Sequence, residues 1–324
     1  MRKAYAVADF LSDDNKRTMK RTAEECGFEI EFFESNEEAC GKVSDGEVIY
    51  CCDGELLPLM PQLRWCHSAY AGVGPFLQSG VFEDGKVMLT NSSGAYGRAI
   101  SEHIIMVTLM LMRRMPEYLE ITGRHGWGTH LDIRSLEDST IAIIGTGDLG
   151  RNAAKRYKAL GAKKVIGFSR SGKARDFFDE VRRIDEFDEV MKGGLSEKAD
   201  VLLLCVPGTP ESKGLLSAER IALLSEKTFV INVGRGAVID QDALMDALNE
   251  GRIAGAALDV VYPEPLPADH PLWNARNCII TPHTSGDMAL EYTVDITADI
   301  FCGNLKRYAK GEKLANLVDN KAGY

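Results

Sequence analysis

The sequence predicts an α/β protein built from two doubly wound parallel-sheet domains. From Ser139 onward, short β-branched runs alternate with segments of helical pattern. Polar and apolar residues hardly alternate within these runs, which is typical of strands buried on both faces of a parallel sheet. A length of 324 residues is long for one domain and suits two.

The second half of the chain carries the clearer strand and helix signals. Its strand candidates are TIAIIG, KVIGF, DVLLLCV, TFVINV, IAGAALDV and CIITPH. The segment IDQDALMDALNEG predicts a helix with Asp240 as its N-cap and Gly251 as its C-cap. The apolar run from Ile104 to Met112 is about half a membrane span, so we expect a buried helix there.

The first hundred residues show a weaker form of the same pattern. Their strand candidates are KAYAVADF, FEIEFF, EVIYCCD and LRWCHSAYAG. The last segment, 290–324, is helix-like without a strand of its own, and we expect it to fold back on the first domain. We therefore predict one discontinuous domain from 1–97 plus 289–324, and a second domain from 98–288.

Composition narrows the class of protein. The net charge of −10 and the pI near 5.2 argue against a nucleic-acid partner, which needs a basic face. The amino terminus does not resemble a signal peptide, and we expect no membrane segment. The eight cysteines show neither a C-x-x-C pair nor the spacing of metal ligands. These features favour a reduced, cytoplasmic protein without a metal site.

A glycine-rich turn gives the first functional signal. TIAIIGTGDLGRNAAKRYKALG has the order strand, turn, helix, with Gly145, Gly147 and Gly150 in a G-x-G-x-x-G motif. The first glycine permits the tight turn, the second lets a pyrophosphate approach, and the third lets the helix pack on the strand. The helix amino terminus would face the phosphates. The alternative is a plain structural turn. The remaining residues of the predicted cofactor turn are Thr146, Asp148 and Leu149.

The residues after the next strand indicate which dinucleotide binds. Ser169 lies 19 residues beyond Gly150, where an NAD-selective site would carry an acid on the ribose hydroxyls. Serine removes the repulsion of an extra phosphate, and Arg170 offers that phosphate a bidentate fork. Ser171 and Lys173 add a hydroxyl and a cation. We predict NADP or NADPH, with NAD as the weaker alternative. In that alternative, Arg170 is a solvated loop cation.

Five motifs after Glu102 occur in the order and spacing of one family. They are GTGDLG, ADVLLLCVPGTPES, INVGRGAVID, GAALDVVYPEPLP and LWNARNCIITPHTSG. The chain resembles the D-isomer-specific 2-hydroxyacid dehydrogenases, in particular the NADPH-using glyoxylate/hydroxypyruvate reductase type. The resemblance implies a Rossmann-type cofactor domain inserted in a flavodoxin-like substrate domain, an active site in the cleft, and a homodimer.

The resemblance also implies three catalytic residues. Arg235, in a Gly-Arg-Gly turn, would bind the substrate carboxylate and polarise its 2-oxo group. His283 would donate a proton to the nascent alkoxide, or accept one in the reverse direction. Glu264 would orient His283 and favour its imidazolium. Without the resemblance, Arg235 would be interpreted as an arginine that hydrogen-bonds to loop carbonyls, His283 as a structural histidine and Glu264 as a solvated loop carboxylate.

Further binding residues are implied by the same resemblance. Asp259 corresponds to the residue that binds the nicotinamide carboxamide, and the backbone N–H groups of Gly72 and Val73 correspond to those that hold the substrate carboxylate. Tyr70 would shape specificity. For Trp127 two interpretations stay open, a contact with the partner subunit and a buried structural tryptophan. The other predicted cofactor contacts are Val206, Pro207, Thr209, Val233, Gly234, Ser285 and Gly286.

The predicted reaction is reversible hydride transfer from NADPH to a small 2-oxo acid, which gives the D-2-hydroxy acid. Glu264 stands where the formate-oxidising branch of the family has glutamine, so formate is not expected. Two alternatives remain open: a nucleotide-sensing corepressor-like binding protein and a phosphite-type dehydrogenase. The sequence shows neither long disordered tails nor a basic patch, which favours the enzyme.

Overall fold

The computed structural model describes residues 1–128, 130–195 and 199–320. The chain divides into unit 1, Met1–Tyr96 with Met288–Tyr324, and unit 2, Gly97–Asp287. Each unit contains one sheet, and all strands within each sheet are parallel. The predicted α/β class is therefore confirmed.

Unit 1 has a five-stranded sheet in the order β2-β1-β3-β4-β5. This order is that of flavodoxin-like folds, as expected, and the chain reverses direction across the sheet between β1 and β3. The strands are β1 Arg2–Val7, β2 Phe28–Phe33, β3 Val48–Cys51, β4 Trp65–Ser68 and β5 Met88–Thr90. The helices are α1 Asp13–Glu25, α2 Asn36–Ala39, α3 Gly74–Leu77 and, from the end of the chain, α10 Glu291–Ala309.

The final helix packs within unit 1, against α1 and the sheet. Thr297 of α10 shares a hydrogen bond of 2.8 Å with the buried hydroxyl of Tyr50. Phe301 stacks on the indole of Trp65 at a centroid distance of 5.3 Å. The aromatic residues of α10 thus cover the apolar face of strands from the other end of the chain.

Unit 2 has a seven-stranded sheet in the order β12-β11-β10-β9-β6-β7-β8. Counted from its own first strand, the order is the Rossmann order 3-2-1-4-5-6 with a seventh strand added, and it reverses between β6 and β9. The strands are β6 Thr140–Ile144, β7 Lys164–Ser169, β8 Glu180–Arg183, β9 Ala199–Leu204, β10 Phe229–Asn232, β11 Gly255–Leu258 and β12 Cys278–Ile280. The helices are α4 Gly97–Met112, α5 Met115–Gly123, α6 Asp148–Ala159, α7 Phe187–Val190, α8 Ala218–Ile221 and α9 Gln241–Asn249.

The two helices predicted in unit 2 are present, and each differs from the prediction in one detail. Asp240 caps α9 as predicted, because its carboxylate accepts a hydrogen bond of 3.1 Å from the backbone of Ala243. The C-cap is Glu250 rather than Gly251, and Gly251 follows with φ of 71°. The apolar run in α4 is helical, but it is not wholly buried. Met106 is 47% exposed and Leu109 is 37% exposed, so one face of the helix is open to solvent.

Among the described residues, every helix is too short or too polar to cross a membrane.

Candidate active site

The glycine turn lies between β6 and α6, at the point where the strand order of unit 2 reverses. Gly145 has φ of 105°, and a Cβ there would stand 2.7 Å from the carbonyl oxygen of Cys205. A Cβ on Gly150 would stand only 2.0 Å from the carbonyl oxygen of Gly145. At Gly147, by contrast, no described atom beyond the adjoining residues of the chain lies within 4 Å of a Cβ position. Gly145 and Gly150 are therefore needed for packing, while Gly147 leaves room in front of the helix.

This arrangement fits the pyrophosphate of a dinucleotide. Gly147 is the N-cap of α6, so no cap side chain competes for the first N–H groups of the helix. Thr146 is buried behind the turn, next to Gly167 of β7. The Asp148 side chain accepts a hydrogen bond from the Asn152 amide at 3.0 Å, and burial raises the pKa of its carboxyl. Its second oxygen is buried without a hydrogen-bond partner among the described residues.

The loop after β7 is folded by its own serines. The backbone N–H of Gly172 donates to the Ser169 hydroxyl at 3.1 Å, and that of Lys173 donates to Ser171 at 3.4 Å. Arg170 interacts electrostatically with Glu211, on the loop after β9. The pKa of Glu211 is lowered mainly by its own backbone N–H, then by the Thr209 hydroxyl, and also by the Arg170 charge. The cation therefore lies near both loops that border the predicted cofactor crevice.

The loop after β9 is held by Ser212, a residue that the sequence analysis did not single out. Its hydroxyl donates to the carbonyl of Pro207 at 2.6 Å and accepts from the N–H of Thr209 at 2.8 Å. A Cβ on Gly208 would stand 2.9 Å from the side chain of Arg235. The loop therefore passes directly beside that arginine, and Val206 at its start packs on the unit 2 core.

The turn that carries Arg235 depends on Asn232, another residue without a sequence signal. The buried Asn232 amide donates to the carbonyl of Arg235 at 3.0 Å and accepts from the N–H of Gly234 at 3.0 Å. A Cβ on Gly236 would stand 1.9 Å from the carbonyl oxygen of Val261. The turn is thus pressed against the segment after β11, with the buried Val233 leading into it.

The guanidinium of Arg235 donates to the carbonyl of Gly234 at 2.7 Å, and the residue keeps an exposed surface. Surrounding protein lowers the pKa of Arg235, while the charge of Glu264 raises it. A guanidinium stays protonated under such opposing effects. Arg235 is therefore a cation that interacts electrostatically with the carboxylate of Glu264.

Glu264 and His283 form a pair. The Nδ1 atom of His283 lies 2.9 Å from Oε2 of Glu264, and the other carboxylate oxygen accepts from the N–H of Val261 at 2.9 Å. Because an ionised carboxylate can only accept, Nδ1 carries a proton and Nε2 is the ring nitrogen left for proton transfer. The His283 and Glu264 side chains are 47% and 36% exposed, which leaves them open to a ligand.

Asp259 follows β11 and is buried beneath the turn that carries His283. Its side chain is 1% exposed and accepts hydrogen bonds from the N–H groups of Thr284 and Ser285. The hydrogen bonds that the structure gives this carboxylate come from other residues of the protein. Its contact with the nicotinamide stays a prediction. Gly286 follows directly in the same turn.

Comparisons with known proteins identify the family. The model described as D-isomer specific 2-hydroxyacid dehydrogenase, NAD binding domain, matches residues 105–285, which is more than half of the chain. The chain belongs to the D-isomer-specific 2-hydroxyacid dehydrogenase family. It is therefore an oxidoreductase with a dinucleotide-binding domain, as the resemblance implied.

Individual members of this family are similar over nearly the whole chain. Glyoxylate/hydroxypyruvate reductase A of Photorhabdus laumondii is 29% identical, covering 87% of this chain and 88% of its own. A solved family protein of Aeromonas salmonicida has a TM-score of 0.83 and 32% identity, over 98% of this chain and 99% of its own. The NADPH-dependent glyoxylate/hydroxypyruvate reductase of Sinorhizobium meliloti, in complex with NADP and sulfate, has a TM-score of 0.81 and 25% identity over all of both chains.

Three of the predicted substrate residues of this dehydrogenase lie in unit 1, after the carboxyl end of β4. The N–H of Tyr70 donates to the hydroxyl of Ser68 at 3.1 Å, and the tyrosine is 38% exposed. Gly72 is half-buried and Val73 is buried just before α3. The three residues share one edge of the sheet, where ligands bind in doubly wound folds. Their contact with substrate stays a prediction.

Trp127 is 97% exposed. This exposure contradicts the interpretation of Trp127 as a buried structural tryptophan. A contact of Trp127 with a partner subunit stays a prediction.

Proposed function

We propose that this dehydrogenase uses NADPH to reduce a small 2-oxo acid to the D-2-hydroxy acid, and catalyses the reverse oxidation. The observation that carries the proposal is the contact of 2.9 Å between His283 and Glu264. The charge of that glutamate also acts on Arg235. An acid–base group and a fixed cation are what the reduction of an anionic 2-oxo acid requires.

His283 supplies the proton. Its Nδ1–H group is bound to Glu264, so Nε2 is the atom that gives a proton to the substrate oxygen and recovers it in the reverse direction. The carboxylate of Glu264 stabilises the imidazolium and fixes the plane of the ring. Arg235 binds the substrate carboxylate and stabilises the charge that develops on the 2-oxo oxygen. The bound nicotinamide supplies the hydride.

Selectivity for NADPH rests on the loop after β7. Ser169 presents a hydroxyl where an acid would repel the additional phosphate, and Arg170 lies on the same loop as Ser171 and Lys173. The similar Sinorhizobium reductase is NADPH-dependent and holds NADP. NAD remains the weaker alternative. At the other end of the dinucleotide, Asp259 would contact the nicotinamide carboxamide.

The test is steady-state oxidation of NADPH and of NADH with glyoxylate, hydroxypyruvate, phenylpyruvate and branched 2-oxo acids. We expect turnover of at least one small 2-oxo acid, with a higher kcat/KM for NADPH than for NADH. Dinucleotide binding without turnover of any acid would favour the corepressor-like role. Reduction of NADP by phosphite, without reaction of the 2-oxo acids, would favour the phosphite-type reaction.

We further propose that the enzyme is a homodimer. The exposed faces of α4 and α5 enclose a shallow groove of about 630 Å³, lined by Met106, Leu109, Met115 and others. A contiguous exposed apolar surface of this kind is typical of a subunit interface. Light scattering after size exclusion should give twice the chain mass, and Leu109→Glu should shift it towards the monomer.

We also propose a cytoplasmic location. All eight cysteines are free thiols, and even the buried sulfurs of Cys51 and Cys66, 3.8 Å apart, are not bonded to each other. Such thiols persist in a reducing compartment. Cell fractionation with an antibody against the chain would test the location.

A further inference from the structure

His283 lies in a backbone conformation that needs support. Its φ is 55°, in the left-handed region that residues other than glycine seldom adopt. The N–H of His283 donates to the carbonyl of Asp259 at 2.9 Å and also reaches the carbonyl of Thr281 at 2.9 Å. The position of the imidazole therefore depends on the residues that hold this turn.

One buried carboxylate holds the turn. Asp259 accepts from the backbone N–H groups of Thr284 at 3.0 Å and Ser285 at 3.1 Å. Its shortest hydrogen bond, 2.6 Å, comes from the hydroxyl of Thr281, two residues before His283. The Thr281 hydroxyl thus ties the end of β12 to the carboxylate after β11.

A histidine on α4 completes the network. The Nε2 atom of His103 lies 3.4 Å from the Thr281 hydroxyl and 4.0 Å from the Asp259 carboxylate, and its side chain is 12% exposed. Thr281 has one hydroxyl proton, which goes to the carboxylate, because a carboxylate only accepts. The Thr281 oxygen therefore accepts from His103, and Nε2 of His103 must carry a proton.

The charge of His103 follows from its surroundings. Burial lowers the pKa of the imidazole, and the nearby Asp259 opposes that shift less strongly. The ring is therefore neutral near pH 7, with its single proton on Nε2.

We propose that His103 and Thr281 are positioning residues for the acid–base function of His283. They keep Asp259 oriented, and Asp259 keeps the left-handed turn in place. This inference rests on the proposed catalytic role of His283, because neither residue would touch substrate.

The kinetic test compares Thr281→Val, which removes the hydroxyl, with Thr281→Ser, which keeps it. Small displacements of an acid–base group reduce turnover strongly, so we expect Thr281→Val to lower kcat by about 10- to 100-fold. The KM for NADPH should change by less than about threefold, because the glycine turn is untouched and Asp259 is expected to contact only the carboxamide end of the dinucleotide. Thr281→Ser should keep kcat within about threefold of the wild type. His103→Ala should resemble Thr281→Val, and His103→Gln, which keeps a donor near the Nε2 position, should restore part of kcat.

Several results would overturn the inference. They are an unchanged kcat in Thr281→Val, an equal loss in Thr281→Ser, and a loss that appears only in the KM for NADPH. A wild-type protein without turnover would instead overturn the proposed function.

A readout independent of turnover is the ¹⁵N spectrum of the imidazoles, in which His103 should be neutral and protonated at Nε2. A proton on Nδ1 would contradict the network, and this measurement stands even where a variant fails to fold.

Discussion

At the scale of single residues, the acid–base pair joins side chains that lie 19 positions apart in the sequence. Glu264 follows β11 and His283 follows β12, and these strands are parallel neighbours in the sheet. Parallel neighbours bring their carboxyl ends to one edge. The contact of 2.9 Å therefore depends on the pairing of two strands.

The first prediction concerns this pair. His283→Ala should lose turnover while the protein still binds NADPH, because the ring acts on the substrate and the glycine turn holds the dinucleotide. Glu264→Gln should lower kcat less, since the ring remains but its imidazolium is no longer stabilised by charge. Steady-state kinetics and fluorescence titration with NADPH measure the two effects. Undiminished turnover in His283→Ala would remove His283 from the mechanism.

The second prediction concerns Arg170. Arg170→Ala should raise the KM for NADPH far more than the KM for NADH. The difference should correspond to a loss of about 1–3 kcal/mol of interaction free energy, as expected for a charged hydrogen bond. Arg175→Ala, five residues further along the same loop, is the matched control and should change the two constants equally. Equal effects of Arg170→Ala on both cofactors would show that its guanidinium does not meet the phosphate.

The sequence pointed to the proposed catalytic residues, but not to the residues that hydrogen-bond to their turns and fix their positions. Arg235, Glu264 and His283 stood out because they lie in motifs of a known family. Asn232 and Thr281 end strand-like apolar runs, and His103 lies in a helical run, so each reads as an ordinary polar residue. Their partners lie on other elements, and only the folded chain brings those partners within hydrogen-bond distance.

At the scale of elements, the buried strands were easier to predict than the edge strands. Ile141–Ile144 of β6 are all at most 1% exposed, and such apolar runs were found directly. The missed strands were β5 and β8. The sequence of β8, EVRR, is polar because the strand lies at the sheet edge, and β5 has only three residues. Helix α4 was expected to be buried, and composition alone does not show which of its faces packs.

The third prediction separates the roles of two glycines that flank the start of α6. Gly150→Ala would place a methyl group 2.0 Å from the carbonyl oxygen of Gly145, so it should destabilise or unfold unit 2. The added methyl group of Gly147→Ala meets no described atom within 4 Å beyond the adjoining residues, and Gly147 has an ordinary φ of −76°, so this variant should fold normally. Its methyl group would occupy the approach of the pyrophosphate and weaken NADPH binding. Thermal unfolding and a binding titration check both variants, and normal binding by Gly147→Ala would place the phosphates elsewhere.

At the scale of the whole molecule, the alternating pattern predicted two parallel sheets, and the family resemblance supplied their types. The strand order within each sheet had no local signal, because it depends on which crossovers the chain makes. Unit 1 also buries a titratable group that the sequence did not mark. His67 is fully buried between the hydroxyls of Thr90 and Ser92, and burial lowers its pKa to about 3.

The fourth prediction follows from this histidine. Between its ordinary pKa of about 6.5 and the folded value of about 3, the unfolded chain binds one more proton at His67 than the native chain does. Stability is therefore intact above about pH 6.5, and the free energy of unfolding should fall by about 1.4 kcal/mol for each pH unit below it. Urea denaturation at about pH 7 and about pH 5 measures this slope. His67→Asn should be less stable near pH 7 but should lose this part of the slope, whereas the exposed His125→Asn should keep it.

The left-handed backbone at position 283 has a consequence for how this chain tolerates change. Glycine and asparagine adopt that conformation more readily than histidine does, so either would relax the turn. Stability and activity thus make opposite demands at one position, as they often do where strain is kept for function. A screen for heat resistance alone would be expected to enrich glycine or asparagine there, and to yield a well-folded but inert protein.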